Sequence, residues 1–264
     1  MSAIIRRMIP AANLTLLYGQ LPLEERFEAA RLHGFSAAEI LFPYDRSPQW
    51  YAERLRESGL QLVLVNTPVD PEQAPWGRAA LAGQQAQFRE DFARVAAVCE
   101  ATGCPAVHVM AGCTDGQDPQ ARATLLENLA WASAAYPELR LQLEGLNHSD
   151  VPGYFYARPA AVIEVLQALG AGNVGLQFDF YHTVREALDL CAELQRAMPW
   201  VRHVQVAGSP ARNEPDLTRD NLQASFEQLH AAGYDGFVGY EYRPAADVAA
   251  GLVWSQPIQT LFSR

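Results

Sequence analysis

A chain of 264 residues, 49% hydrophobic and 19% charged, is long enough to bury one large core and fits the roughly 250 residues of a single (β/α)8 barrel. A formal charge of -10 and a pI near 5.1 exclude the clustered basic surface that nucleic acid requires, and no apolar stretch approaches the ~20 residues that span a bilayer. All 20 basic residues are arginine, which also excludes chemistry that needs a lysine amine, such as Schiff-base aldol cleavage, pyridoxal phosphate attachment or a phosphate loop.

In chain order, Met1 to Arg7 lacks the apolar core of a signal peptide, so a cytoplasmic protein is expected. The hydrophobic pattern then predicts a strand at Ile9 to Leu14, a helix at Leu23 to Leu32, a strand at Ala37 to Phe42, a helix at Trp50 to Ser58 and a strand at Gln61 to Asn66. A Pro-rich loop, Pro68 to Trp76, leads into a helix at Gln84 to Thr102 and a strand at Ala106 to Met110. After these come a helix at Ala121 to Ala135, a strand at Leu141 to Glu144, a helix at Pro159 to Leu169 and a strand at Val174 to Asp179. The series closes with a helix at Arg185 to Met198, a strand at Val201 to Gln205, a loop at Ser209 to Asp216, a helix at Leu222 to Ala232 and a strand at Phe237 to Glu241. Gly34, Gly59, Gly103, Gly170 and Gly233 each follow a helical stretch, where a left-handed cap is easiest for glycine. Eight strands alternate with helices throughout, which predicts one single-domain (β/α)8 TIM barrel over 1–264. Cys99, Cys104, Cys113 and Cys191 form no CxxC pair and are read as reduced thiols.

The last four predicted strands each end on a side chain that offers oxygen: Glu144, Asp179, Gln205 and Glu241, separated by 35, 26 and 36 residues. Parallel barrel strands all end at one face, so these groups converge there. Any one of them alone would more often cap a helix or pair with an arginine. Three carboxylates and an amide at successive strand ends, however, crowd negative charge unless a cation sits among them. All-oxygen ligation favours a hard divalent cation, Mg2+ or Mn2+, over zinc.

A metal beside two glutamates suits the isomerisation of an α-hydroxy carbonyl. The cation polarises the carbonyl and favours an enediolate, while Glu144 and Glu241 act as general acid and base on adjacent carbons. His182, just past Asp179, is placed to bind a substrate oxygen or to orient Glu144. Arg212, in the loop after the seventh strand, is placed to fork onto a substrate carboxylate. Asn66 and Asn147 are short polar groups at the same face, suited to substrate hydroxyls or to turns. His33, His108, His203 and His230 are less suggestive, because they fall at helix ends or inside strands.

On these residues the chain resembles hydroxypyruvate isomerase and its close relatives, including 2-oxo-tetronate isomerase, in the xylose-isomerase-like superfamily. The resemblance is carried by Ala12-Asn13-Leu14, Phe42-Pro43-Tyr44, Asn66-Thr67-Pro68, His108-Val109-Met110-Ala111-Gly112, Leu143-Glu144-Gly145-Leu146-Asn147, Asp179-Phe180-Tyr181-His182, His203-Val204-Gln205-Val206-Ala207 and Gly239-Tyr240-Glu241-Tyr242, nearly end to end. It implies that Glu144, Asp179, Gln205 and Glu241 bind a divalent metal and that the two glutamates exchange the proton. Gln205 looks like the hydroxypyruvate isomerase branch, since ketose 3-epimerases of the superfamily usually place histidine there. The chain departs from the family in its loops: Ala82-Gly83-Gln84 stands where relatives tend to carry Pro-Gly-Arg, and after Arg212 the Glu214-Pro215 pair is kept without the Gly-Glu that follows it.

The expectation is therefore a cytoplasmic, homo-oligomeric enzyme that interconverts hydroxypyruvate and tartronate semialdehyde. A 2-oxo-tetronate isomerase and a ketose 3-epimerase are the nearest alternatives. A DNA-repair nuclease relative and a non-catalytic binding barrel come from other classes, the nuclease disfavoured by only six scattered histidines.

Overall fold

The computed structural model of the chain describes residues 8–262, so the signal-peptide reading of Met1 to Arg7 lies outside the described residues. The strands are β1 (Ile9–Asn13), β2 (Ala37–Ile40), β3 (Gln61–Asn66), β4 (Ala106–His108), β5 (Arg140–Glu144), β6 (Val174–Asp179), β7 (Val201–Val206) and β8 (Phe237–Tyr240). They close a barrel in sequence order, every neighbouring pair parallel, and β8 returns to β1 through Ile9↔Phe237 and Ala12↔Tyr240. The helices are α1 (Leu23–Leu32), α2 (Pro48–Ser58), α3 (Gln85–Thr102), α4 (Pro119–Ala135), α5 (Pro159–Leu169), α6 (Phe180–Arg185), α7 (Leu190–Ala197), α8 (Leu222–Ala231) and α9 (Val248–Gly251).

Local chemistry explains the helix limits. Ser47 and Asp118 accept from the backbone N–H of Trp50 and Gln120, satisfying donors of the first turn, and Pro48, Pro119 and Pro159 stand where no N–H is needed. Gly59, Gly103 and Gly170 stop α2, α3 and α5 at φ of 73°, 73° and 64°, a left-handed conformation that a Cβ disfavours.

Two features differ from the expected pattern. The helix expected from Arg185 to Met198 is broken in two: α6 starts directly at the end of β6, Ala187 turns left-handed at φ 55°, and Asp189 caps a new helix by accepting from Ala192 N–H. The chain also continues past β8 into α9 and a 3-10 helix, Leu252–Leu261, which hydrophobic spacing had not revealed. Trp254 holds this tail against the barrel, its ring 4.9 Å from Tyr240 and 6.1 Å from Phe226, and Met8 N–H donates to Leu261 C=O.

Successive strand residues face opposite sides, so helix-facing and lumen-facing residues alternate. The helix-facing sets join one large core, including Leu62, Val107, Leu141, Leu143, Leu176 and Val204. Ala11, Ala37 and Val63, with Ile9 and Phe237, form a separate small apolar cluster. Two residues further along the same faces the lumen turns polar, with Asn13, Glu39, Gln142, Gln177, His203 and Gln205 all buried. Barrel interiors are ordinarily filled by branched apolar side chains, so a polar layer directly beneath the carboxyl ends of the strands is costly and marks where the site stands. Register shifts after Ala38 and after Leu176 flank this layer and re-aim Glu39 and Gln177.

Candidate active site

A cavity of about 280 Å³ opens at the carboxyl ends of the strands. Glu144, His182, Arg212, Glu241 and Asn66 line it, together with His108 and Arg243, and Phe42 and Trp76 form an apolar rim. Glu144 and Glu241 thus face one common space. The loop from Pro68 to Trp76 reaches the site through Trp76, and the loop from Ser209 to Asp216 reaches it through Arg212, both as expected of long loops at this face.

Glu144 ends β5 and is buried. Gln177 Nε2 donates both to Glu144 Oε2 at 2.7 Å and to Gln205 Oε1 at 2.5 Å, so one amide ties the ends of β5 and β7 together. Glu144 Oε1 is buried without a hydrogen-bond partner. Burial first, then the charges of Asp179 and Glu241, push the Glu144 carboxyl well above the usual carboxylate range. Burial likewise raises Glu241 to about 7, with Arg212 pulling the other way.

Asp179 serves the next helix and the site at once. Its Oδ1 accepts from His182 N–H at 2.9 Å, so the capping role is real, yet ligand atoms of Asp179, Glu144 and His182 all lie within 4.8 Å of one another. Capping engages one carboxylate oxygen and leaves the second for the site.

His182 lies 3.9 Å from Glu144 Oε1 through Nε2, while its Nδ1 accepts the backbone N–H of Asn147 at 3.1 Å. Burial lowers its pKa to about 4, so the ring is neutral, and with Nδ1 accepting, the single proton sits on Nε2. A protonated nitrogen cannot ligate a cation. His182 is a hydrogen-bond donor into the cavity, and the oxygens of Glu144 and Asp179 are the atoms of this group that could hold a cation.

Of the two roles its position suits, Asn147 takes the turn. It does not line the cavity: its side chain donates to Asp150 Oδ2 at 3.0 Å and accepts from Asp150 N–H at 2.9 Å, and its backbone N–H and Nδ2 both meet His182 Nδ1 and so fix that ring's tautomer. Arg212, at φ 53°, donates from Nη2 to Glu241 Oε2 at 2.5 Å and lies over the Tyr181 ring at 5.1 Å. Burial opposes its charge, but Glu241, Asp179 and Glu144 outweigh that and hold it protonated.

Of three further polar residues at the site, the sequence offers only His108, and as one of the less suggestive histidines. His108 places Nδ1 3.3 Å from Glu144 Oε2; burial, then the neighbouring imidazoles, lower its pKa to about 3, so the ring is neutral, and its Nε2 is buried without a hydrogen-bond partner. Gln177 and Glu39 sit in the polar layer beneath. Period-two spacing back from Asp179 and from Leu41 would have flagged both as lumen-facing, but only the closed barrel shows what they meet.

The donor set fits a hard divalent cation. Three carboxylates crowd one buried space beside Arg212, the Glu144 oxygen lacks a partner, and burial with mutual repulsion holds both glutamates towards their protonated forms, a charge density that a cation would relieve. A barrel with such a pocket at the carboxyl face has the layout of a TIM-barrel enzyme.

The chain belongs to the xylose isomerase-like TIM barrel family, whose model matches residues 27–258. Within it the chain groups with the hydroxypyruvate isomerases and 2-oxo-tetronate isomerases, and it is an isomerase. It is 39% identical over 252 residues to a 2-oxo-tetronate isomerase of Cupriavidus necator, covering 94% of this chain and 97% of that one. It is 30% identical over 252 residues to hydroxypyruvate isomerase of Escherichia coli, covering 94% and 98%. A crystal structure described as AP endonuclease, family 2, from Brucella melitensis superposes with a TM-score of 0.87 at 33% identity, over 96% of this chain and 98% of that one. No helix among the described residues is long and apolar enough to cross a membrane.

Proposed function

We propose that the chain isomerises a small hydroxy-oxo acid, moving a carbonyl between adjacent carbons through an enediolate, with Glu144, Asp179, Gln205 and Glu241 holding Mg2+ or Mn2+. The observation that carries this reading is the shared cavity of Glu144 and Glu241, two buried carboxylates with raised pKa values. When bound, the cation supplies positive charge that makes the hydrogen beside the carbonyl more acidic. One glutamate takes the proton from its carbon and the other returns a proton to the neighbouring carbon. Glu241, at about 7, is balanced for either role at neutral pH. His182 Nε2–H donates to a substrate oxygen, and Arg212 and Arg243 bring positive charge to the side of the cavity where a substrate carboxylate lies.

Two acids fit this chemistry. Hydroxypyruvate, going to tartronate semialdehyde, uses its one hydroxyl in the reaction. A second reading, 2-oxo-tetronate, is favoured by two residues lining the cavity, Asn66 and His108, whose Oδ1 and Nε2 are buried without a hydrogen-bond partner. A further hydroxyl would bond to them, and the four-carbon acid carries one. The relatives named for either acid support the class in common.

A nuclease reading needs a polyanion track that a net charge of -10 does not supply. The direct test incubates chelator-treated and Mn2+-reloaded protein with each acid and identifies the product by NMR. Conversion of either acid only after reloading is expected; no conversion of both overturns the proposal.

A further inference from the structure

Glu39, at the end of β2, is fully buried in the barrel lumen. Its carboxylate accepts from Gln205 Nε2 at 3.0 Å, from Asn13 Nδ2 at 3.1 Å and from His203 Nε2 at 2.5 Å. The lumen is shaped for it: β8 carries Gly239 here, and a Cβ at that position would lie 2.1 Å from Glu39 Oε1. A desolvated carboxylate in a barrel core is destabilising unless fully hydrogen-bonded, and a well-packed apolar residue often serves stability as well or better. Its presence calls for a reason other than stability.

The partner at the site supplies that reason. A glutamine side chain can present either oxygen or nitrogen, and the two ends are nearly equal in shape. Glu39 Oε2 accepts from both Asn13 Nδ2 and Gln205 Nε2, so it takes the NH2 end of Gln205. Gln177 completes the constraint by donating to Gln205 Oε1 and, from the same nitrogen, to Glu144 Oε2. The oxygen end is thereby turned towards the ligand cluster of Glu144 and Asp179.

We propose that Glu39 is a positioning residue that sets the amide orientation of Gln205, so that strand seven presents an oxygen and not a nitrogen to a divalent cation. This rests on the reading that Glu144, Asp179, Gln205 and Glu241 hold such a cation. Partners of this kind typically change metal affinity by about 10–100-fold when removed.

The test measures Mn2+ affinity by electron paramagnetic resonance and calorimetry in the full-length protein. Wild type, Glu39→Gln, Glu39→Asp, Gln205→Ala and the double variant Glu39→Gln/Gln205→Ala are compared, each checked for an intact melting transition. Both Glu39 variants are expected to bind Mn2+ about 10–100-fold more weakly than wild type. The double variant is expected to match Gln205→Ala alone, because Glu39 acts only through that amide. Glu39→Asp keeps the negative charge but withdraws the carboxylate, which separates positioning from charge. Wild-type affinity in either Glu39 variant, or a double variant weaker than Gln205→Ala by the full Glu39 effect, overturns the proposal. Should Glu39→Gln fail to fold, Glu39→Asp decides by the same criterion. Wild type that binds no Mn2+ removes the cation reading itself, and this inference with it.

Discussion

The guanidinium of Arg212 donates to the carboxylate of Glu241 at 2.5 Å, and its charge opposes the burial that raises the Glu241 pKa. Arg212→Leu removes that charge, so the Glu241 pKa rises further and the acid limb of the kcat/KM profile moves to higher pH. Binding of the acid should weaken too: a charged hydrogen bond contributes about 1.5–3 kcal/mol, which is roughly 10–100-fold in kcat/KM. Arg212→Lys should keep the limb in place while still raising KM, because the ammonium lacks the planar fork. An unshifted limb in Arg212→Leu would show that the pair does not tune Glu241.

Glu144→Gln and Glu241→Gln should each lower kcat by about 10²–10⁴, the usual share of one general acid or base. Both substitutions keep size and buried position, and removing a strained charge should leave the melting temperature equal to or above that of the metal-free wild type. Steady-state rates beside a melting curve check this, and retained activity in either variant would remove that glutamate from the chemistry.

Cation binding should tighten with rising pH. Glu144 and Glu241 have raised pKa values in the folded, metal-free chain, and each must be ionised to meet a cation, so binding releases protons. The stability sign follows: a carboxyl with a folded pKa above its unfolded value contributes stability below about 4.5, and that contribution is lost as pH rises through about 7 for Glu241. Mn2+ should therefore raise the melting temperature more at pH 7.5 than at pH 5.5. Calorimetry in buffers of different ionisation enthalpy should record proton release on the acid side of neutrality. Equal stabilisation at both pH values would contradict the assignment.

Asn66→Ala separates the two acids. If Asn66 Oδ1 takes the extra hydroxyl, kcat/KM for 2-oxo-tetronate should fall by about 10-fold, near the value of one neutral hydrogen bond, while hydroxypyruvate is nearly unaffected. Parallel losses on both acids would place Asn66 elsewhere in the reaction.

Much of this was legible along the chain, and the exceptions share a cause. Period-two and helical spacing located all eight strands, and Gly59, Gly103 and Gly170 marked helix ends because a left-handed φ leaves a compositional trace. The four strand-end groups could be picked out because a polar residue closing an apolar run is unusual, whereas Arg212 stands out only as a basic residue in the loop after the seventh strand. Glu39 and His108 each look like an ordinary strand residue until the barrel closes and brings Glu39 across the lumen to His203 and Gln205, and His108 beside Glu144. For Asn147 the spacing leaves substrate or a turn open, and only the folded chain shows its side chain engaged with Asp150. The break at Ala187 has no apolar signature, since a single left-handed residue and an Asp189 cap suffice to restart a helix.

The most direct test of the account follows carbon-bound deuterium by NMR when the Mn2+-loaded protein meets hydroxypyruvate or 2-oxo-tetronate in deuterated water. Wild type should place deuterium on a carbon beside the carbonyl in at least one acid, and Glu144→Gln and Glu241→Gln should each suppress it by 100-fold or more, about the lower share of a general base. Isomerised product that carries no solvent deuterium in the wild type, or exchange that survives loss of both glutamates, would contradict proton transfer between these two side chains.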